Sequence, residues 1–564
     1  MRPVYTLVPA LAALTLPLAA QTTSQRLDGL LADNAFGRSV ASIGDIDGDR
    51  RDDFMVGADW VDSNSQNSGT VYVYSGATRT LLFSLDGDSI GDFFGFSVAG
   101  AGDVDNDGVP DLIVGAYGDE PPTNLDTGAV YVYSGRTQAL IWRFEGSGLE
   151  SRLGYSVGAA GDVNADGYAD IIGGAYSDNT AGFSAGQAVV WSGKDGSVIW
   201  TFNGAGAGHY LGFGVNGAGD VDKDGFDDLI VGAVGDGANG FLSGTALVYS
   251  GRTGAQLWRF DGQGQDLQGA SVASAGDVDG DLHDDVIVGA PFADDAGSDV
   301  GSARVYSGRT GALLHTLTNG NVPGLLFGYP VAGAGDVDGD GRGDLLVTAL
   351  LGTVGVTPVT GGVYVFSGAT GNLIESLGLG GIADAFGWGL ASAGDVDDDG
   401  FDEILVGAPF ADFTGVQAGS AYVIDLNAIG TPPKAYEYGI ACPGSNGKAP
   451  HIGHRGRAAI GETLEITLRG TLPNAPVVVN MGLPMNLALD SYGFTGCTLY
   501  ASNDGFVIVR TSGPLGVLDF DPLLIPNTPS FVGQSFVAQW ICLDPAANVA
   551  GYAFSNAAEY TFGN

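Results

Sequence analysis

The stretch Phe94 to Tyr117, FGFSVAGAGDVDNDGVPDLIVGAY, sets two short apolar runs on either side of a loop with Asp103, Asp105, Asp107 and Asp111 at its positions 1, 3, 5 and 9. The same loop opens at Asp45, Asp103, Asp162, Asp220, Asp277, Asp336 and Asp395, with successive spacings of 58, 59, 58, 57, 59 and 59 residues. So regular a period means one structural unit used seven times. Within each unit the order is constant: an Ala/Val/Gly-rich run, the acidic loop, a run such as DLIVGAY, a polar loop, then GAVYVYSG (128–135), a turn and a run such as AQLWRF (255–260). These runs are short, rich in Val, Ile, Tyr and Phe, and bounded by Gly, Asp, Asn and Ser, which reads as four β-strands per unit. None holds a 3.6-residue apolar period, so helices are not expected there.

Four strands used seven times fit a propeller or a solenoid, and the ends of the array decide between them. Before the first loop, SQRLDG (24–29) matches the fourth-strand segments LFSLDG and LWRFDG but lacks three strands of its own. After the seventh loop come DEILVGAPF and SAYVIDL, a second and a third strand without a fourth. The N-terminal orphan therefore supplies what the last unit lacks. A ring closes by such an exchange and removes its sheet edges, whereas a solenoid caps its ends. The expected fold is all-β, with residues 24–430 as one seven-bladed propeller.

The loops are rich in hard ligands. They read Asp45, Asp47, Asp49, Arg51, Asp53; Asp103, Asp105, Asp107, Val109, Asp111; Asp162, Asn164, Asp166, Tyr168, Asp170; and Asp220, Asp222, Asp224, Phe226, Asp228. The remaining three are Asp277, Asp279, Asp281, His283, Asp285; Asp336, Asp338, Asp340, Arg342, Asp344; and Asp395, Asp397, Asp399, Phe401, Glu403. Oxygen side chains at positions 1, 3, 5 and 9, with a backbone carbonyl at 7, can wrap one Ca²⁺, and up to seven such ions are expected. Zn²⁺ is a poor candidate, because the loops contain no Cys and a single His. One Asp-Gly cluster could be an ordinary hairpin turn. Seven in register, with 27 of 28 side-chain positions acidic, are different. These are not EF-hands: position 12 holds Val56, Val114 or Val231 where Glu would be needed, and a strand follows. Gly fills position 6 in five loops, but Arg50 and Leu282 stand there in the first and fifth, which are expected to be the more strained.

Phe36-Gly37, Phe94-Gly95, Phe327-Gly328 and Phe386-Gly387 before the loops, and Gly289-Ala290-Pro291 or Gly407-Ala408-Pro409 after them, resemble FG-GAP repeats. Such repeats form the blades of the integrin α-subunit N-terminal propeller and of many bacterial secreted proteins. The resemblance covers the whole array. It implies a seven-bladed propeller with Ca²⁺ loops on the lower face and ligand contacts on the opposite one. Blade six departs with Thr348-Ala349-Leu350 and blade five with Leu267-Gln268-Gly269. All seven blades carry the loop here, where integrin α-subunits carry it in only some.

Composition bounds the partners. With 65 Asp+Glu against 22 Lys+Arg, the formal net charge is -43, which argues against nucleic acid and anionic membranes and favours multivalent cations. The 45% hydrophobic content supports a large core despite 95 Gly. Arg2, an apolar run from Val4 to Leu18, and Ala19-Ala20 read as a cleaved secretory signal (1–20), so a secreted, extracellular protein is expected, possible surface association aside. No membrane insertion is expected, and a monomer is the expected state.

After NAIGTPPK the repeat stops, and residues 436–564 hold all three cysteines. Alternating runs such as ETLEITLRG, PVVVNMG and SFVAQWICLD suggest a β-sandwich. Three Cys allow three single bridges; Cys442 with Cys497 is the expected one, both lying in Gly-rich loop contexts of an exported chain, with Cys542 in an apolar strand. CPGS, GC-L-YAS and IPN are similar to a C-terminal module found behind bacterial FG-GAP propellers, a resemblance that names no activity.

Other signals lose to plainer readings. Arg342-Gly343-Asp344 spells an adhesion tripeptide, but Asp344 is the ninth-position residue of the sixth loop. His451 and His454, beside Arg455 and Arg457, read as a solvated basic loop. Three Gly-x-Ser-x-Gly matches open no helix, so no catalytic residue is assigned. Two function classes remain: a non-catalytic binding or adhesion propeller with an extracellular protein or glycan ligand, and an extracellular hydrolase or lyase that uses the propeller as scaffold. Aromatic residues after the Gly-Ala pair, Trp60, Tyr117, Tyr176, Phe292 and Phe410, either ring the ligand face or plug strand ends against neighbouring blades.

Overall fold

A computed structural model describes residues 23–426 except 30–31, 121–125, 298, 319–325, 351, 355–356, 360, 379–383 and 397–401; beyond 426 it describes strands alone. Among the described residues there is no helix, and seven four-stranded antiparallel sheets follow one another along the chain. The first blade shows the rule, with strands Ser39–Gly44, Asp53–Ala58, Thr70–Tyr74 and Leu81–Asp86 paired in that order.

Burial follows strand position. The second strand of every blade is buried at all six residues, as in Asp111–Ala116 and Asp344–Ala349, because a neighbouring blade covers each of its faces. That is why these strands read as continuous apolar runs rather than alternating ones. The outermost strand, Leu140–Glu145 for instance, alternates between exposed and half-buried residues.

There is no single core. Instead, each hydrophobic cluster joins two adjacent blades, as Val73 and Phe94 join blades one and two, and the last joins Phe36, Phe54 and Val56 of blade one to Val396, Leu405 and Val423 of blade seven. The ring is therefore continuous around its axis. Its seam is closed by Thr23–Asp28, which pairs antiparallel with Ser420–Asp425 so that Ser24 faces Ile424 and Leu27 faces Ala421. The orphan strand completes blade seven as its sequence requires.

Glycine sets the spacing between blades. A Cβ on Gly57 or Gly115 would collide with the carbonyl oxygen of Gly95 or Gly154 in the next blade, and one on Gly407 with that of Gly37 across the seam. Only a residue without a side chain permits this approach. Blade six has Thr348 at the equivalent place, and its methyl fills the space where a Cβ on Gly387 would stand. Farther out, Trp142, Trp200 and Trp258 donate their indole N–H to the carbonyls of Gly193, Gly251 and Gly308 in the following blade at 2.7, 2.6 and 2.6 Å. His315 Nε2 lies 2.8 Å from Gly368 O in the same role.

In the C-terminal region a five-stranded antiparallel sheet runs Ala435–Tyr438, Tyr552–Thr561, Ser535–Leu543, Pro476–Gly482, Phe506–Thr511. A second sheet is built on His451–Gly456 and Thr463–Arg469. His451 and His454 thus lie in a strand, where the sequence had suggested a loop. Cys442 and Cys497 fall outside the described residues.

Candidate metal centres

The acidic loops join the first and second strands of each blade, so all project from one face of the ring. Their turns are built by the carboxylates themselves. In the second loop Asp103 Oδ1 accepts from the Asp107 N–H at 3.0 Å and its Oδ2 from Gly108 at 2.9 Å; Asp105 Oδ1 accepts from Asp107 at 3.1 Å and Asp107 Oδ1 from Val109 at 3.0 Å. The fourth and sixth loops repeat this pattern, with Asp220, Asp222 and Asp224 or Asp336, Asp338 and Asp340 in the same roles. Position 6 must take a left-handed backbone: Gly108, Gly167, Gly225 and Gly341 have φ of 86, 84, 90 and 85°, and Arg50 and Leu282 are held at 74 and 71°. The strain expected of the first and fifth loops is present, since a Cβ disfavours that region.

The ninth-position residue does more than sequence reasoning assigned to it. Asp111 accepts from Val104 N on Oδ2 and from Gly135 N, in the turn between third and fourth strands, on Oδ1. Asp53, Asp170, Asp228, Asp285 and Asp344 make the same two kinds of bond. Each is fully buried. Burial pushes Asp111 up to about 6 and Asp170, Asp228 and Asp344 up to about 7, with the backbone N–H bonds partly offsetting it and the neighbouring loop carboxylates adding to it. Asp344 of the Arg-Gly-Asp tripeptide is one of these hubs, 0% exposed. It presents nothing to a partner.

Among the described residues, carboxylate oxygens converge in five loops. Asp45, Asp47 and Asp53; Asp103, Asp105 and Asp107; Asp220, Asp222 and Asp228; Asp277, Asp279 and Asp285; and Asp336, Asp338 and Asp344 each bring three such atoms within 4.8 Å of one another. Three anionic oxygens so close repel unless a cation or a proton intervenes. The donor set is all oxygen, suits a hard divalent cation and could hold one. In the third loop Asn164 replaces a carboxylate, and Asp166 N donates to both Asp162 Oδ1 and Asn164 Oδ1 at 3.0 and 2.9 Å. In the seventh, Asp395 and Glu403 are described, Glu403 Oε2 accepting from Val396 N at 2.8 Å, while Asp397, Asp399 and Phe401 lie outside the described residues.

Side chains at position 7 brace the loops against the preceding loop or against a turn of their own blade. His283 Nδ1 lies 2.8 Å from Val221 O of the preceding loop, and Tyr168 and Phe226 carry Lys194 and Arg252 over their rings at 4.9 and 5.0 Å. Position 8, which the sequence reading passed over, does likewise: Asp227 accepts from Asp162 N at 2.8 Å and Asp284 from Asp220 N at 3.0 Å. The signal was visible as a recurrent extra acid in Asp52, Asp227, Asp284 and Asp402.

On the opposite face the aromatic residues after the Gly-Ala pair pack on neighbours. Trp60 meets Phe410 of blade seven with ring centroids 5.8 Å apart, Tyr117 meets Tyr155 of blade three at 6.0 Å, and Tyr176 meets Phe213 of blade four at 5.7 Å. Phe292 is 37% exposed. The geometry favours strand-end plugs for Trp60, Tyr117, Tyr176 and Phe410.

The FG-GAP repeat model matches residues 36–74, 94–133 and 386–424, which are the bodies of blades one, two and seven. Among curated proteins, integrin alpha-8 of Gallus gallus is 32% identical over 240 residues, 39% of this chain and 21% of that protein. Integrin alpha-V of Gallus gallus is 34% identical over 234 residues (39% and 22%), and integrin alpha-PS2 of Drosophila melanogaster 32% over 221 (36% and 15%). The chain thus spans about a fifth of the length of these relatives. Among the described residues no helix is long and apolar enough to cross a membrane.

Proposed function

We propose that this chain, an FG-GAP repeat protein with a propeller of the integrin α-subunit type, is a secreted, Ca²⁺-stabilised, non-catalytic binding protein. The observation that carries the reading is the convergence of three carboxylates in loop after loop on one face of a closed ring. The cation would be held by the residues at positions 1, 3, 5 and 9 and the backbone carbonyl at 7, as in Asp103, Asp105, Asp107, Val109 and Asp111. It would neutralise their mutual repulsion and fix the loops to one another; it supplies charge and rigidity, and no reaction step.

In this reading residues 1–20 direct export, 24–430 form the propeller, and 436–564 form a separate β-sandwich module with a Cys442–Cys497 bridge. The ligand is an extracellular protein or glycan, met by the face opposite the cations. Integrin-like relatives and the closed ring support the binding class over a hydrolase or lyase. The test is a glycan and extracellular-matrix array probed with the full chain in Ca²⁺ and in EDTA, together with metal analysis of the purified protein. Ca²⁺ bound at more than one ion per chain and Ca²⁺-dependent capture support the reading; a metal-free protein, or capture indifferent to EDTA, refutes it.

A further inference from the structure

The residue after each Phe-Gly or equivalent pair stands at one structural position in all seven blades: Arg38, Phe96, Tyr155, Phe213, Ala270, Tyr329 and Trp388. One turn places them all. The residue three positions earlier has a positive φ in every blade, from Ala35 at 53° and Phe93 at 51° through Leu326 at 50° to Ala385 at 52°. These seven side chains line one axial cavity of about 190 Å³, on the face opposite the acidic loops. Five are aromatic, one is small, and one is a cation.

Arg38 breaks the pattern at a cost. Its guanidinium is wedged between the Phe96 ring, 4.6 Å away, and the Trp388 ring, 4.4 Å away, from the blades on either side. Its side chain is only 14% exposed, and the single carboxylate in ion-pair range among the described residues is Asp59, 3.8 Å from Nε, too far for a hydrogen bond. Arg38 Nε and Asp59 Oδ1 are both buried without a hydrogen-bond partner. Burying that N–H unspent is unfavourable. Further donors line the same cavity. The hydroxyl oxygens of Ser97, Ser156 and Ser271 accept backbone N–H bonds from Val157, Val215 and Val331 of the next blade, which leaves each O–H to give. Among the described residues no Asp or Glu lines this half of the channel, whereas Asp402 lines the half toward the acidic loops.

We propose that this axial cavity is a binding site for a small, ring-sized carboxylic acid, its carboxylate held by Arg38 and its body against Phe96, Phe213 and Trp388. A planar fork of N–H donors matches a carboxylate in two parallel bonds. A monoanion is favoured over phosphate or sulfate, because Arg38 is the one cation lining the cavity among the described residues and Asp59 already shares part of its charge. The room comes from Ala270, the one small side chain in the ring. The site lies on the face assigned above to the ligand and rests on that reading for its place alone, because it needs no cation in the loops.

The test uses the full chain, Ca²⁺ present throughout, with benzoate and glucuronate as probes and their methyl esters as uncharged controls. Calorimetry and saturation-transfer NMR should show saturable 1:1 binding of at least one acid at millimolar concentration or below and none of its ester. Arg38→Gln should weaken that binding at least tenfold. Ala270→Phe, which copies the Phe213 of the neighbouring blade, should block the cavity with Arg38 intact, and it decides the matter if Arg38→Gln does not fold. Absence of saturable binding of both acids to the unsubstituted protein, equal binding of acid and ester, or binding that both substitutions leave unchanged would overturn the proposal.

Discussion

The two faces of the ring carry the same seven-fold backbone and use it in opposite ways. On the lower face, positions 1, 3, 5 and 9 are acidic with one exception, Asn164, and carboxylates of the described loops are tied into the turns they create. On the upper face, one turn presents Arg, Phe, Tyr, Phe, Ala, Tyr and Trp in succession. Sameness serves architecture: a loop that must neutralise its own charge and brace its neighbour has one solution, repeated. Difference breaks the symmetry of a ring, and an asymmetric cavity can recognise an asymmetric molecule.

The largest effect expected from this contrast is loss of the lower-face cations. Each site held at 100 times its Kd contributes about 2.7 kcal/mol by linkage, so several together should lower Tm by at least ~10 °C when EDTA replaces millimolar Ca²⁺. A melt indifferent to the metal would mean that the loops are hydrogen-bonded turns and nothing more.

Next comes the seam. Deleting residues 23–28 leaves Ser420–Asp425 as an open edge, and the truncated chain should melt lower and form higher-order species by size exclusion. A stable monomer would show that the hydrophobic contact between blades one and seven closes the ring unaided.

Two residues on one turn sharpen the contrast between architecture and recognition. Phe94 is 1% exposed and packs between blades, so Phe94→Ala should cost about 3–5 kcal/mol. Phe96, facing the axial cavity, should cost less than half of that by chemical denaturation. Equal losses would make the upper ring as structural as the motif beneath it.

The smallest effect concerns pH in the metal-free protein. Asp170, Asp228 and Asp344 are raised from an ordinary 3.8 to about 7, so the folded form binds more protons than the unfolded one between those values. Stability in EDTA should therefore be highest near and below pH 4, fall as pH rises from there, and level off above about 7. Ca²⁺, which favours the charged carboxylates, should flatten or reverse that slope.

Much of this was legible along the chain. SQRLDG before the array and SAYVIDL after it foretold the pairing of Thr23–Asp28 with Ser420–Asp425, because a missing strand in one unit and a spare one in another have a single joint solution. Arg50 and Leu282 foretold strain at position 6, because that turn geometry is local. The ninth carboxylate was read as a ligand and missed as a structural hub, because its second partner, Gly135 for Asp111, lies 24 residues away in another turn.

The sequence by itself determined the number of blades, the closure of the ring and the acidic character of one face. Each follows from spacing and residue type within a unit, where neighbours in sequence are neighbours in space. Only the tertiary structure decided which residues meet between units. Trp142 finds Gly193 from 51 positions away, and Arg38 is pinned between Phe96 and Trp388, which stand at opposite ends of the array. A closed ring brings its first and last blades together, and equivalent positions of all seven converge on its axis. No local pattern in the chain carries that convergence.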